Sequence, residues 1–156
     1  MTDSRLIECK VLKEEPTKDL LEELYAIEIS AHKSPWTFDG IAKSFNGNIV
    51  IGCFLDKKLV GFAVMQTVLD ESELLTIGIM PEFQGRGLGK SLLSAALSEV
   101  KRRGAKKCFL EVRVSNLPAL SLYEKTGFKK TGIRKNYYVK TAVLPAEDAY
   151  TMVSEL

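Results

Sequence analysis

Hydrophobic residues recur with two different periods along this chain, and the switch between the periods predicts its secondary structure. Apolar residues at helical spacing predict helices over 18–31, 37–45, 87–103 and 116–126. Short apolar or alternating runs predict strands over 5–12, 48–55, 59–69, 72–80, 108–114, 128–135 and 149–156. This order of elements indicates a mixed sheet with helices packed on it, in the α/β or α+β class.

The predicted helix after residue 87 has one clearly apolar face. Leu88, Leu92, Ala96 and Val100 recur at the spacing of successive helical turns. Gly104 follows the last basic residues and is expected to end this helix.

The composition limits the class of protein. A chain of 156 residues with 46% hydrophobic residues suits one domain, spanning 1–156, with a proper core. The net charge of +2, from 22 basic and 20 acidic residues, gives no general field for nucleic acid or an anionic membrane, so neither is an expected partner.

The chain shows no targeting signal, and this favours the cytoplasm. The first ten residues carry charges and lack the apolar stretch of a signal peptide. The longest strongly apolar stretch, 49–55, is far too short to span a bilayer.

The cysteines and the histidine do not suggest a metal site. Cys9, Cys53 and Cys108 are odd in number and lie within predicted strands, which is typical of reduced thiols in a cytosolic protein. His32 is the sole histidine and no C-x-x-C occurs, so we expect no bound metal. We interpret His32 as a loop residue rather than a catalyst.

The segment QGRGLGKS, 84–91, lies between a predicted strand and a predicted helix. It fails the Walker A pattern because Gln84 stands where Gly is required. It fails the dinucleotide-binding pattern G-x-G-x-x-G because Lys90 stands where the last Gly is required. A strand, a glycine-rich turn and a helix still direct free backbone N–H groups at an anion. The alternative is a mobile turn that uses glycines only for its geometry.

A different phosphate-loop pattern does fit. Gln84-x-x-Gly87-x-Gly89 resembles the [QR]-x-x-G-x-[GA] pyrophosphate loop of the GNAT superfamily of N-acetyltransferases. Further segments resemble, in order and spacing over nearly the whole chain, the RimI family of bacterial ribosomal-protein alanine N-acetyltransferases. These segments are HKSPW (32–36), VLDESELLTIGI (68–79), LEVRVSN (110–116), ALSLYEKTGF (119–128), RKNYY (134–138) and EDA (147–149).

The resemblance implies the fold and the co-substrate. It implies a mostly antiparallel sheet of about seven strands flanked by about four helices, and acetyl-CoA as acetyl donor without a metal. The residues that it assigns to acetyl-CoA are Ile77, Gly78, Ile79, Gln84, Gly85, Arg86, Gly87, Leu88, Gly89, Lys90 and Asn116. An ordinary apolar strand is the alternative for Ile77–Ile79, and a helix cap is the alternative for Asn116.

The resemblance also implies two catalytic residues, Glu111 as proton acceptor and Tyr123 as proton donor. In the alternating strand, Glu111 shares a face with Phe109 and Arg113, and Cys108 lies on the opposite face. Cys108 is therefore not interpreted as a nucleophile. A solvated carboxylate and a buried aromatic are the alternatives for the two residues, and no second acidic group near Glu111 is evident in the motif.

Four aromatic or proline residues are expected to contact the acceptor. Pro35 and Trp36, with Tyr137 and Tyr138, fall in the two loops that should flank a threaded protein N-terminus, although core-edge packing is the alternative. Val139 stands where the family is expected to have Pro. The basic run 101–107 is interpreted as a solvated helix end rather than an RNA contact.

Several functions remain open at this point. The resemblance favours acetylation of a protein's N-terminal alanine, with small-subunit ribosomal protein eighteen as partner. A lysine or small-amine acetyltransferase would keep the same fold and co-substrate. A non-catalytic acyl-CoA-binding module is disfavoured by the presence of both Glu111 and Tyr123, and a P-loop nucleotide site is the weakest reading because of Gln84.

Overall fold

The computed structural model describes residues 6–156, within which the chain forms four α-helices and seven strands. The helices are α1 (Lys18–Ala31), α2 (Phe38–Lys43), α3 (Leu88–Arg102) and α4 (Leu117–Lys125). The strands are β1 (Ile7–Val11), β2 (Ile49–Leu55), β3 (Lys58–Val68), β4 (Glu71–Ile79), β5 (Lys107–Arg113), β6 (Lys129–Tyr138) and β7 (Glu147–Glu155). The first position of the predicted strand 5–12 lies outside the described residues.

The seven strands form a single mixed sheet in the order β1-β2-β3-β4-β5-β7-β6. The pairing between β4 and β5 is parallel, and the other neighbouring pairs are antiparallel. The predicted fold class and the predicted element order are therefore confirmed.

Both faces of the sheet are covered by helices. Leu92 and Ala96 of α3 pack with Ile51 of β2 in one core cluster, and Leu24 of α1 packs with Val50 of β2 in the other. Because alternate residues of β2 enter opposite cores, this strand is apolar at nearly every position rather than at every second one.

The helices lie close to their predicted bounds, although α2 ends at Lys43 rather than at residue 45. The Thr17 hydroxyl accepts a hydrogen bond from the Leu20 N–H at 3.1 Å and caps α1. The predicted apolar face of α3 is buried along its whole length. Gly104 follows α3 with a φ of 105°, a left-handed conformation that glycine adopts at helix ends.

A gap opens between β4 and β5, and it defines the two sides of the site. The two strands pair only over 71–73 and 107–109. The register of β4 on β3 then shifts, so that Val64 pairs with Thr76 and Met65 pairs with Leu74. The extra residue, Leu75, is a β-bulge, and bulges bend a strand and increase its twist. Beyond residue 73, β4 therefore diverges from β5.

One predicted loop is a strand instead. Tyr137 and Tyr138 belong to the end of β6, and Tyr138 pairs with Glu147 of β7. The register is irregular just before this pair, because Asn136 has a φ of 52° and its N–H donates to Asp148 at 2.8 Å. This long-range contact supports a bulge that extends β6 past the predicted end at 135.

Candidate active site

The glycine loop is built by contacts at the end of β4. The Gln84 side-chain amide donates to the Ile79 carbonyl at 2.8 Å, which holds the start of the loop against the strand. Gly85 and Gly87 have φ values of 76° and 81°, where other residues are strained. A Cβ at either position would meet no protein atom within 4 Å, so their open sides face space that a ligand can approach.

The N-terminus of α3 is available to an anion. Gly87 occupies the N-cap position, and within the described part of the chain no side chain caps this helix end. No acidic residue lies in the first turn of α3. The first N–H groups of a helix have no partner within the helix and carry the positive end of its dipole. A phosphate group fits this position.

A cavity of about 510 Å³ runs from this loop along β4 to α4. Ten of the eleven residues assigned to acetyl-CoA line it: Ile77, Gly78, Ile79, Gln84, Gly85, Gly87, Leu88, Gly89, Lys90 and Asn116. Arg86 does not line it; its guanidinium donates to the Glu82 carbonyl and lies over the Phe83 ring, 5.5 Å from its centroid. The cavity combines an anion-binding end with an apolar wall, which suits a long phosphorylated thioester.

The β4 edge that faces the gap carries free backbone groups. The Met80 N–H donates to the Val60 carbonyl of β3. In an antiparallel ladder alternate residues point their N–H groups toward the same neighbour. The N–H groups of Ile77 and Ile79 consequently point away from β3 and toward the gap. One of them can donate to a carbonyl oxygen held there.

Helix α4 forms the far wall of this cavity. The Asn116 side-chain oxygen accepts the Ala119 N–H at 3.3 Å, so the alternative reading of Asn116 as a cap is confirmed, and its amide group remains a separate donor. Tyr123 lines the same cavity and is 8% exposed. Its ring lies edge-on to Phe128. Burial raises the pKa of the Tyr123 hydroxyl, which keeps this group protonated at neutral pH.

Glu111 lines a second cavity, of about 450 Å³. The residues around it come from five strands: Gln66, Val68, Glu71, Ser72, Glu73, Phe109, Leu110, Glu111, Arg134, Thr151 and Met152. A guanidinium nitrogen of Arg134 lies 3.7 Å from a carboxylate oxygen of Glu111. Glu111 is therefore not the freely solvated carboxylate of the alternative reading, since its side chain is 17% exposed.

A second acidic residue stands beside Glu111, and the expectation of a single carboxylate was wrong. The parallel register places Glu73 opposite Phe109, on the strand face that points into the Glu111 cavity. Burial, followed by the neighbouring Glu111 carboxylate, raises the pKa of Glu73. A Glu inside the apolar run of β4 was the available sequence signal, but its partner depends on a strand register that sequence periodicity does not give.

The residues that were predicted to contact the acceptor do not line the second cavity. The Arg113 guanidinium lies over the Tyr138 ring, 4.2 Å from its centroid. The Arg134 guanidinium lies 5.4 Å from the centroid of the Tyr137 ring. Burial, followed by the neighbouring Tyr137, raises the pKa of Tyr138 to about 12. Tyr138 is also within electrostatic range of both Glu111 and Tyr123.

Pro35 and Trp36 are held at the end of α1. The Trp36 N–H donates to a carboxylate oxygen of buried Glu28 at 3.0 Å, and the indole packs on the α1–α2 core cluster. The core-edge alternative therefore describes the observed packing of Trp36, while Pro35 is exposed. Neither residue lines the cavity around Glu111.

Glu28 and His32 were not predicted to act together. The other Glu28 carboxylate oxygen lies 3.6 Å from His32 Nε2, and Thr76 of β4 lies within 3.4 Å of both groups. A Cβ at Gly78 would approach His32 Nε2 to 3.1 Å. Gly78 is therefore needed for the close approach of α1 to β4 beside the first cavity.

Glu147, the first residue of β7, ties this strand to the end of β5 and to the turn that follows it. Glu147 accepts the Ser115 N–H at 2.7 Å and lies 3.4 Å from the Arg113 guanidinium.

Cys108 is buried on the other face of β5, and burial raises its pKa to about 11. No group of three or more potential metal ligands is found among residues 6–156, and none of the helices in that range is long and apolar enough to cross a membrane.

Comparison with known proteins identifies the fold and the family. The sequence profile described as the Acetyltransferase (GNAT) family matches residues 14–128. The chain belongs to the GNAT family of acetyltransferases. The resemblance inferred from the glycine loop is thereby confirmed, and the residues that line the two cavities belong to an acetyltransferase fold.

Individual relatives refine this placement. This acetyltransferase is 46% identical over 121 residues to ribosomal protein bS18-alanine N-acetyltransferase of Haemophilus influenzae, covering 76% of this chain and 82% of the relative. The crystal structure of ribosomal-protein-S18-alanine N-acetyltransferase from Escherichia coli superposes with a TM-score of 0.85 at 34% identity, covering 96% and 94% of the two chains. An acetyltransferase of Bacillus subtilis in complex with CoA shares the fold, with a TM-score of 0.79 at 23% identity and coverage of 97% and 99%.

Proposed function

We propose that this acetyltransferase transfers the acetyl group of acetyl-CoA to the N-terminal α-amine of a protein that begins with alanine, and that ribosomal protein bS18 is its substrate. The relatives that share 46% and 34% of its sequence carry this activity in their names. The observation that carries the proposal is the gap between β4 and β5, because a cavity opens on each side of it. Tyr123 lines one of these cavities, and Glu111 lines the other.

The first cavity is proposed to hold acetyl-CoA. The free N–H groups at the start of α3 suit its pyrophosphate, and the unpaired β4 edge suits its extended arm. Bound acetyl-CoA supplies an activated acetyl group as a thioester. The Ile77 or Ile79 N–H is positioned to stabilise the negative charge that develops on the carbonyl oxygen during transfer.

Glu111 is proposed to accept the proton of the acceptor amine, and Tyr123 to protonate the departing sulfur. A thiol has a pKa of about 8.5 and a phenol one of about 10. Because burial raises the pKa of Tyr123 further, this hydroxyl is a reliable reservoir for one proton but a weak acid. We therefore expect its contribution to the rate to be smaller than that of Glu111.

The proton balance favours an α-amine over a lysine side chain. Near pH 7.5 an α-amine with a pKa of about 7.8 is neutral roughly a few hundred times more often than a lysine with a pKa of about 10.4. The aromatic and apolar residues around Glu111, among them Phe109 and Leu110, leave a cavity suited to a small first side chain. The proposal treats residues 1–156 as one catalytic domain acting in the cytoplasm, where ribosomal proteins are made.

The test is a CoA-release assay with peptides that differ only at their first residue. A peptide that begins with Ala should release CoA fastest, and the same peptides beginning with Leu or Lys should react far more slowly. Glu111→Gln should lower kcat by about 10²–10⁴-fold with acetyl-CoA affinity nearly unchanged, and Tyr123→Phe should lower it less. Equal rates for all first residues, or wild-type turnover in both variants, would contradict the proposal.

A further inference from the structure

Two carboxyl groups share the acceptor side of the gap, although the proposed mechanism uses only one. Glu73 on β4 and Glu111 on β5 line the same cavity, and the β4–β5 register ends at the pair formed by Glu73 and Phe109. Glu73 is thus the last residue of β4 before the two strands separate. Its carboxyl group therefore lies on the Glu111 cavity at the point where the gap opens.

We propose that Glu73 is a second proton-accepting residue of this site, which binds the acceptor α-amine together with Glu111 and shares its proton. This inference rests on the proposed function. It adds to it the prediction that the base is a pair of carboxyl groups rather than one glutamate.

The charges around the pair leave room for a cation. Glu73, Glu71 and Glu111 contribute carboxylates from β4 and β5, and Arg134 contributes the guanidinium from β6. The neighbouring strands β3 and β7 contribute the uncharged Gln66 and Thr151. Three carboxylates and one guanidinium carry a net negative charge, which the ammonium form of an incoming α-amine offsets.

The pair is also suited to keeping the proton that it removes. Two carboxyl groups in contact titrate as a unit, and the second of them ionises reluctantly. Burial, followed by the Glu111 carboxylate, raises the pKa of Glu73 above its ordinary value. A base is most effective when its pKa lies near the operating pH, so the pair is a better acceptor than one solvated carboxylate.

The protons and bonds of the reaction balance with this assignment. The acceptor enters as an ammonium group, and one N–H bond breaks as a carboxylate oxygen of the pair takes the proton. The nitrogen lone pair then forms the C–N bond. The C–S bond breaks, and the sulfur leaves as a thiolate with the electron pair of that bond. Tyr123 gives its hydroxyl proton to the sulfur. The nitrogen then loses a second proton, which restores the Tyr123 hydroxyl. The carboxyl pair releases the first proton to solvent.

The repulsion between Glu73 and Glu111 lowers the stability of the folded protein. A stability measurement can therefore show whether Glu73 has a functional role or a structural one. Folding raises the pKa of Glu73, so the stabilising contribution of its protonated form is present at low pH and is lost as the pH rises through the raised pKa. Glu73→Gln removes the repulsion with Glu111 while keeping the side-chain shape. We therefore expect this variant to be as thermally stable as wild type, or more stable, at pH 8.

The experiment compares Glu73→Gln, Glu73→Asp, Glu111→Gln and the double Gln variant with a peptide that begins with Ala. Glu155→Gln is the matched control, because Glu155 is an exposed carboxylate on the neighbouring strand β7 and lies outside the cavity. We expect Glu73→Gln to lower kcat by about 10- to 100-fold at saturating peptide, with unchanged acetyl-CoA affinity. Glu73→Asp should recover part of this loss, and the control should keep wild-type kcat.

The pH profile and the double variant test whether the carboxyl groups act together. In Glu73→Gln the acid limb of the kcat profile should move to lower pH, because the carboxyl group with the raised pKa is no longer present. The double variant should lose little more than Glu111→Gln, since residues acting as a unit are not additive. Wild-type kcat with an unmoved acid limb in Glu73→Gln, or losses that multiply in the double variant, would overturn this inference alone. Failure of the wild-type protein to acetylate the peptide would overturn both proposals.

Discussion

Individual glycines decide how closely a ligand can approach the loop between β4 and α3. Gly85 and Gly87 take left-handed backbone conformations that side chains resist. Gly89 is different: it lies inside α3, and a Cβ there would touch only Leu122, at 3.6 Å. A Cβ at Gly89 is therefore in ordinary contact with the protein, and a larger side chain narrows the cavity that Gly89 and Leu122 both line.

This difference makes Gly89 the position where ligand approach can be tested without damage to the fold. Gly89→Ala should keep the thermal stability of wild type or raise it, since Ala is favoured over Gly in helices. Gly89→Val should weaken acetyl-CoA binding at least about tenfold, which corresponds to about 1.4 kcal/mol. Thermal denaturation measures the stability of Gly89→Ala, and isothermal titration calorimetry measures the affinity of Gly89→Val for acetyl-CoA.

Ser94→Val is the matched control for Gly89→Val, because Ser94 is an exposed position of the same helix away from the loop. It should bind acetyl-CoA as wild type does. Unchanged affinity in a folded Gly89→Val protein would show that the start of α3 does not hold the pyrophosphate.

At the scale of elements, α4 is both a capped helix and a wall of the cavity proposed to hold acetyl-CoA. The Asn116 oxygen caps α4, and the rest of its side chain faces the cavity. These two roles use different atoms of one side chain. Asp supplies the capping oxygen equally well but lacks the amide donor.

Two substitutions at Asn116 separate the cap from the ligand contact. Asn116→Asp should keep the thermal stability of wild type and weaken acetyl-CoA binding. Asn116→Ala should weaken binding and also lower the free energy of unfolding by about 1 kcal/mol. Thr17→Ala, which removes the cap of α1 far from the loop, should lower stability by a similar amount with normal binding. Chemical denaturation and calorimetry check these values, and normal binding in Asn116→Asp would restrict Asn116 to a structural role.

Elements set by local pattern could be predicted from the sequence, and features set by long-range pairing could not. The spacing of Leu20, Leu24 and Ile27 gave the bounds of α1 correctly, because helical periodicity is a property of neighbouring residues. The extension of β6 through Tyr138 depends on the contact between Asn136 and Asp148, twelve residues apart, and no local signal announces it.

The same distinction holds at the site. The motif led to Glu111, which the structure puts in a cavity, but the adjacent Glu73 emerges only from the parallel register of β4 on β5. Likewise, the sequence suggested Trp36 as a wall of the acceptor site. Its N–H is bonded instead to Glu28 inside the α1–α2 core, because a buried carboxylate requires a donor.

The whole molecule is organised around the separation of β4 and β5. Helix α3 connects these two parallel strands, the Leu75 bulge turns β4 aside, and cavities open on both sides of the resulting gap. In the proposed function a donor and an acceptor occupy these two cavities at the same time, so that neither has to leave before the other binds. This geometry favours direct transfer between the two bound groups.

The central claim is that the acetyl group passes to an α-amine on the Glu111 side of the gap. The most direct test is tandem mass spectrometry of one peptide that begins with Ala and also contains an internal lysine, after incubation with the protein and acetyl-CoA near pH 7.5. We expect a single added acetyl group on the α-amine, with the lysine unmodified and the product strongly reduced in Glu111→Gln. Acetyl groups found mainly on the lysine side chain would contradict it and favour a lysine acetyltransferase of the same family.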